Sequence, residues 1–104
     1  MLFLTYWELN ENMPVQERMG ITQKLTSSGL FPGKGVKILR LDETPDSWGI
    51  LLMEADNAMD VSLALDTLRM AGAGFFKLTK TAPAMPIAEA MPEWEKALKA
   101  VSAL

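Results

Sequence analysis

Residues 35–55, GVKILRLDETPDSWGILLMEA, decide the fold. Two runs rich in Val, Ile, Leu and Trp, residues 35–42 and 47–55, flank Thr44-Pro45-Asp46, where proline precedes aspartate as in a tight turn. So short a connection predicts an antiparallel hairpin. In-register pairing about Pro45 puts Val36, Ile38, Arg40, Trp48, Ile50, Leu52 and Glu54 on one face. Leu39, Leu41, Gly49, Leu51, Met53 and Ala55 fall on the other. A sheet with one wet face alternates cleanly between apolar and polar, whereas both of these faces are largely apolar. The second set has no charge in its middle and suits a layer of helices. The first is interrupted by Arg40 and Glu54.

Outward from the hairpin, residues 2–9, LFLTYWEL, read as a strand that Asn10, Glu11 and Asn12 break. Pro14 suits the first turn of a helix over 14–28, with Val15, Met19, Ile21, Thr22 and Leu25 on one arc and Gly29 as its stop. The loop LFPGKG is irregular, with Leu30 and Phe31 folding back on the core. After the hairpin, Asp56 or Asn57 caps a helix over 57–71. Its main stripe is Val61, Ala64, Leu65, Leu68 and Ala71; Met59, Leu63 and Met70 form a second on nearly the opposite side. Gly72 and Gly74 end it, and residues 75–81 form a fourth strand. A proline-rich segment with a short helical turn at 87–91 leads to a last helix from Glu93, with Trp94, Ala97, Leu98, Val101 and Leu104 on one face. The second stripe of the preceding helix is expected to receive it around Trp94.

This order defines an α+β domain, a ferredoxin-like βαββαβ antiparallel sheet with two helices on one face plus a C-terminal helix. Right-handed crossovers give the strand order 4-1-3-2. A single domain spans 1–104, its core 1–82 and its loop and last helix 83–104. Matching polarity between strands places Phe3, Thr5, Trp7, Phe75, Lys77 and Thr79 on the open face with Arg40, Trp48, Ile50, Leu52 and Glu54, and turns Tyr6 toward the helices. An apolar surface of that extent is unusual on a monomer, so a homodimer packed sheet to sheet is expected.

Composition narrows the chemistry. Of 104 residues, 49% are hydrophobic and 22% charged, as in an ordinary globular chain. The net charge is −3 with no basic block, against nucleic-acid binding. Cysteine and histidine are absent, which removes disulfides, thiol nucleophiles, Cys/His zinc sites and histidine bases. Met1–Trp7 has no basic n-region and meets Glu8 too soon for a signal peptide, and no run is long enough for a membrane span. A cytoplasmic protein with no cofactor is expected.

The stretches LFLTYWELNE (2–11), GLFPGKGVKILRLDETPDSWGILLMEAD (29–56) and AGAGFFKLTKTAPAMPIAEA (71–90) resemble the dimeric α/β-barrel superfamily. Within it they look like a prokaryotic family of about 100 residues known only as a domain of unknown function, a length fitting one domain. The resemblance covers nearly the whole chain and implies the fold and a dimeric α/β-barrel assembly. It carries no activity. The wider superfamily includes monooxygenases, haem-degrading enzymes, lactone isomerases and ligand-sensing modules, and its haem members generally use a histidine this chain lacks.

The ligand-binding candidates are therefore Thr5, Trp7, Arg40, Trp48, Glu54 and Lys77. Trp7 and Trp48 could wall a pocket or anchor the dimer. Arg40 and Glu54 could orient a ligand or exchange protons, the plainer reading being a structural ion pair. Lys77 has the same readings, or is a solvated edge residue. Tyr6 could stabilise an oxyanion, but core packing suits its expected face better. Arg18 interrupts the apolar arc of the first helix, and snorkelling past the sheet edge is its default. Gly33-Lys34-Gly35 lacks phosphate-loop spacing, and the methionines read as core filler. Three functions compete: a binder of a small apolar or aromatic ligand on the sheet face, a cofactor-free monooxygenase- or isomerase-like enzyme acting there through Arg40, Glu54, Lys77 or Tyr6, and a structural dimer module with no ligand.

Overall fold

A computed structural model describes residues 1–104. Its elements are β1 (Leu2–Leu9), α1 (Val15–Ser28), β2 (Val36–Glu43), β3 (Trp48–Ala55), α2 (Ala58–Ala71), β4 (Phe76–Ala84) and α3 (Ile87–Ser102). The strands form one sheet in the order β2-β3-β1-β4, every neighbouring pair antiparallel. This is the ferredoxin-like arrangement expected from the hairpin outward. The end signals act as anticipated. Gly29 closes α1 in the left-handed region at φ 78°, and the Asn57 side chain accepts from the Asp60 N–H at 2.9 Å to cap α2. No helix is long and apolar enough to cross a membrane.

Two elements run longer than expected. β4 continues to Ala84 through Pro83, tolerated because β4 is an edge strand and proline need not donate there. The turn at 87–91 and the last helix are one helix, α3, with Pro92 inside it.

The core lies between the sheet and α1 and α2. Phe3, Trp7, Leu9, Leu51, Met53, Val61, Ala64, Leu65, Leu68 and Phe75 are buried there. Both residues of a directly opposed pair share a face, so the registers correct the face assignment for half the sheet. On β3 it stands, with Leu51, Met53 and Ala55 buried. On β1 it is reversed. Phe3, Thr5 and Trp7 oppose Met53, Leu51 and Gly49 and face the helices. Leu2, Leu4, Tyr6 and Glu8 oppose Glu54, Leu52, Ile50 and Trp48 on the open face. Thr79 follows Trp7 to the helix side, and Thr81 follows Thr5.

Two bulges explain the remaining differences. The β2–β3 register shifts between Ile38 and Arg40, leaving Leu39 unopposed. That flips the start of β2, so Val36 and Ile38 join the helix side while Arg40 stays on the open one. A second shift, between Glu8 and Leu9, leaves Lys77 unopposed on β4, and Phe76 packs against the core beside Phe75.

The open face is uncovered within one chain. Leu4, Trp48 and Leu78 are each about 40% exposed on it. α3 does not lie on α2 as expected. Met59, Leu63 and Met70 are at least half exposed, and so is Trp94. The radius of gyration, 17.2 Å, exceeds the roughly 13 Å of a globular chain this long.

Candidate functional site

A cavity of about 440 Å³ opens between the sheet and the helix layer. β1 contributes Trp7 and Leu9, β2 Leu41 and Glu43, and β3 Leu51. α1 supplies Val15, Arg18, Met19, Thr22 and Gln23, and α2 Leu65 and Leu68. Phe31, Phe75 and Phe76 complete a wall with four aromatic rings. Trp7 reaches it because Gly49, its opposite number on β3, has no side chain. A Cβ there would overlap the Asp42 carbonyl oxygen and stand 2.5 Å from Trp7 Cζ2. The indole N–H has no acceptor within the chain, yet no side-chain nitrogen is sealed from solvent without a partner, so this donor remains open.

The polar part of the lining comes from α1 and the end of β2. The Arg18 guanidinium donates from Nη1 to the carbonyls of Met13, at 3.2 Å, and Asn10, at 3.4 Å. It thus ties down the β1–α1 loop at the cavity instead of snorkelling into solvent. Thr22 donates its hydroxyl to the Arg18 carbonyl at 2.9 Å. The Gln23 amide and the Glu43 carboxylate make no side-chain bond within the chain and stay available.

A second cavity, about 360 Å³, lies between α2 and β4. Its polar groups are already satisfied. Arg69 donates to Asp66 at 2.7 Å and to Thr79 Oγ1 at 2.6 Å, and Ser62 donates to Asp66 at 3.2 Å. The Arg69 and Ser62 bonds hold the Asp66 carboxyl below its ordinary pKa.

Of the six candidates from the sequence, only Trp7 lines the larger cavity. Thr5 is sealed at 0% exposure, and its hydroxyl bonds that of Thr81, its opposite number, at 2.8 Å. Arg40, Trp48, Glu54 and Lys77 line neither cavity. The ion pair expected between Arg40 and Glu54 does not form. Arg40 opposes Leu52 and pairs with Asp42, two positions along the same exposed face, and Glu54 opposes Lys37 without bridging to it.

Tyr6 lies on the open face, not the helix side, tilted against Trp48 with ring centroids 5.8 Å apart. Its hydroxyl donates to the Glu8 carboxylate at 3.0 Å. Desolvation, then the bond to Glu8 and its charge, raise the phenol above its ordinary pKa of 10.0. The neutral phenol is the favoured form, so this stabilisation is present below the ordinary value and lost as pH rises through the raised one. Tyr6 is the only tyrosine, so alkaline absorbance titration reads it alone. We expect ionisation above the free-phenol value and a fall toward it in Glu8→Gln; an ordinary value in the wild type would refute the contact.

No protein-family model matches the sequence, and no curated protein matches it. Solved structures do. Protein Atu4242 from Agrobacterium tumefaciens superposes with a TM-score of 0.50 at 9% identity, covering 83% of this chain and 93% of that one. A structure from Nitrosomonas europaea, provisionally described as an antibiotic biosynthesis monooxygenase, gives 0.48 at 10% identity over 82% of this chain and 96% of its own. The first likeness extends to the fold alone.

Proposed function

We propose that this protein binds a small, mainly aromatic molecule in the cavity between the sheet and α1 and α2, and works as a homodimer joined through its open sheet faces. The cavity carries the reading. Its 440 Å³ lies above the roughly 300 Å³ at which ligand sites begin. Trp7, Phe31, Phe75 and Phe76 offer ring edges and faces to an aromatic body. Gln23, Glu43 and the Trp7 N–H offer bonds to one or two polar substituents, the balance usual in small-molecule sites. The volume counts against a module with no ligand. The residues on which an enzymatic reading would rest, Arg40, Glu54, Lys77 and Tyr6, stand outside the cavity, so binding is favoured over catalysis. The ligand sits on the helix side of the sheet, not the open face. That leaves the open face, with Leu4, Trp48, Ile50, Leu52 and Leu78, free for a second copy, as in the dimeric α/β-barrel proteins the sequence resembles.

Calorimetry with 1-naphthol tests the binding half. Saturable binding at one site per chain is expected, weakened at least tenfold by Thr22→Trp, which fills the cavity from its exposed rim. Equal affinity in both proteins, or no heat in either, would remove the cavity as the site.

A further inference from the structure

α3 leaves nearly all of its apolar side unpacked. Its residues follow a seven-residue repeat: Ile87, Trp94 and Val101 at one position, Ala90, Ala97 and Leu104 at a second, Met91 and Leu98 at a third. Such spacing aligns a seam for another helix, and the alanines allow close approach. Yet the large residues of that seam within α3 are exposed, from 49% at Met91 to 67% at Leu98. Only Ala90 in α3 is buried.

The shape explains why. The chain measures 59 × 29 × 18 Å, its long dimension double the next. Strands of eight residues span about 27 Å, which accounts for the body. The 16 residues of α3 add about 24 Å beyond it. The helix leaves the edge strand β4 after only Met85 and Pro86, and the exposure of Trp94 and of Met59, Leu63 and Met70 shows that it does not fold back onto α2.

From this geometry we infer that α3 is an exchanged arm: in the dimer its Ile87–Trp94–Val101 seam packs on the second copy. This rests on the sheet-face dimer proposed above. Area argues for the same occupant. Four strands at about 4.8 Å spacing and about 27 Å length give the open face a footprint of roughly 500 Å². A standard interface needs about 800 Å² from each partner. One face of α3, about 24 by 10 Å, supplies most of the shortfall.

The test uses the full chain. Sedimentation equilibrium is run on wild type, Trp94→Glu, Leu98→Glu and the sheet-face variant Leu52→Glu, with circular dichroism and urea unfolding on each to confirm the fold. The arm is supported if both α3 variants raise the dimer Kd at least about tenfold, the scale of a buried anchor lost, while at concentrations too low for any of the proteins to dimerise they unfold as wild type does. A wild-type dimer weakened by Leu52→Glu but not by the α3 variants overturns the arm and leaves the sheet-face dimer standing. A wild type that is monomeric at 100 µM overturns both. Introducing cysteine at Ala97 adds a reading independent of affinity, since the chain has no other thiol. Labelled there, it should become shielded from collisional quenchers as the dimer forms; unchanged access also overturns the arm.

Discussion

Gly49→Ala is expected to cost about 3 kcal/mol or more in urea unfolding, the upper range for overpacking a filled site. On an ordinary exposed strand the same change is neutral or stabilising, because alanine is less flexible when unfolded. Here the methyl has no room on either side. It would overlap the Asp42 carbonyl oxygen on β2 and press on the Trp7 ring on β1. Both neighbours are fixed, one as backbone in the β2–β3 ladder and the other as a buried ring. Trp7→Leu should relieve only the second overlap, so the double mutant should recover part of the loss, and the cycle should show coupling between the sites. A Gly49→Ala protein within 0.5 kcal/mol of wild type would mean that Trp7 is not seated across this glycine.

The second large effect separates two tryptophans that the sequence places together. Trp7 is 6% exposed and Trp48 39%. Trp7→Ala is expected to lose about 3–5 kcal/mol, the cost of removing a large ring from a packed core. A domain this size holds only about 5–15 kcal/mol, so the variant should lose a large share of its total stability. The loss should not depend on protein concentration. Trp48→Ala should cost the single chain less than about 1 kcal/mol, as surface changes do. Its effect should grow with concentration, because the proposed dimer and not the protomer would lose the contact. Similar, concentration-independent losses from both would contradict the division of the sheet into a helix side and a docking side.

That division was only half legible in the sequence. The hairpin supplied it for β3, because Leu51 and Met53 carry no charge while Glu54 does. β1 offered no such contrast. Phe3 and Trp7 on one side are as apolar as Leu2 and Leu4 on the other, and Thr5 pointed the wrong way because its hydroxyl is satisfied inside the core by Thr81. Period-two counting also fails across an inserted residue, which is how Leu39 and Lys77 broke the pattern on β2 and β4. The element order was readable because turn and cap residues mark it locally, and the strand order followed from right-handed crossovers. The cavity was not, since it gathers α1, β2 and the 30–35 loop, which only the tertiary fold brings together. Two traces of it existed: Arg18 within an apolar arc, and Leu41 with Glu43 continuing its parity toward the helices.

The most direct test of the central claim is nuclear magnetic resonance of the isotope-labelled wild-type chain titrated with 1-naphthol. Saturable shifts are expected at the Trp7 indole N–H and at Thr22, Gln23, Leu41 and Phe76, with the Trp48 and Trp94 indoles unmoved by the ligand at constant dimer fraction. Shifts confined to Trp48 and the open face, or no saturation up to the solubility of the ligand, would contradict a binding site between the sheet and its helices.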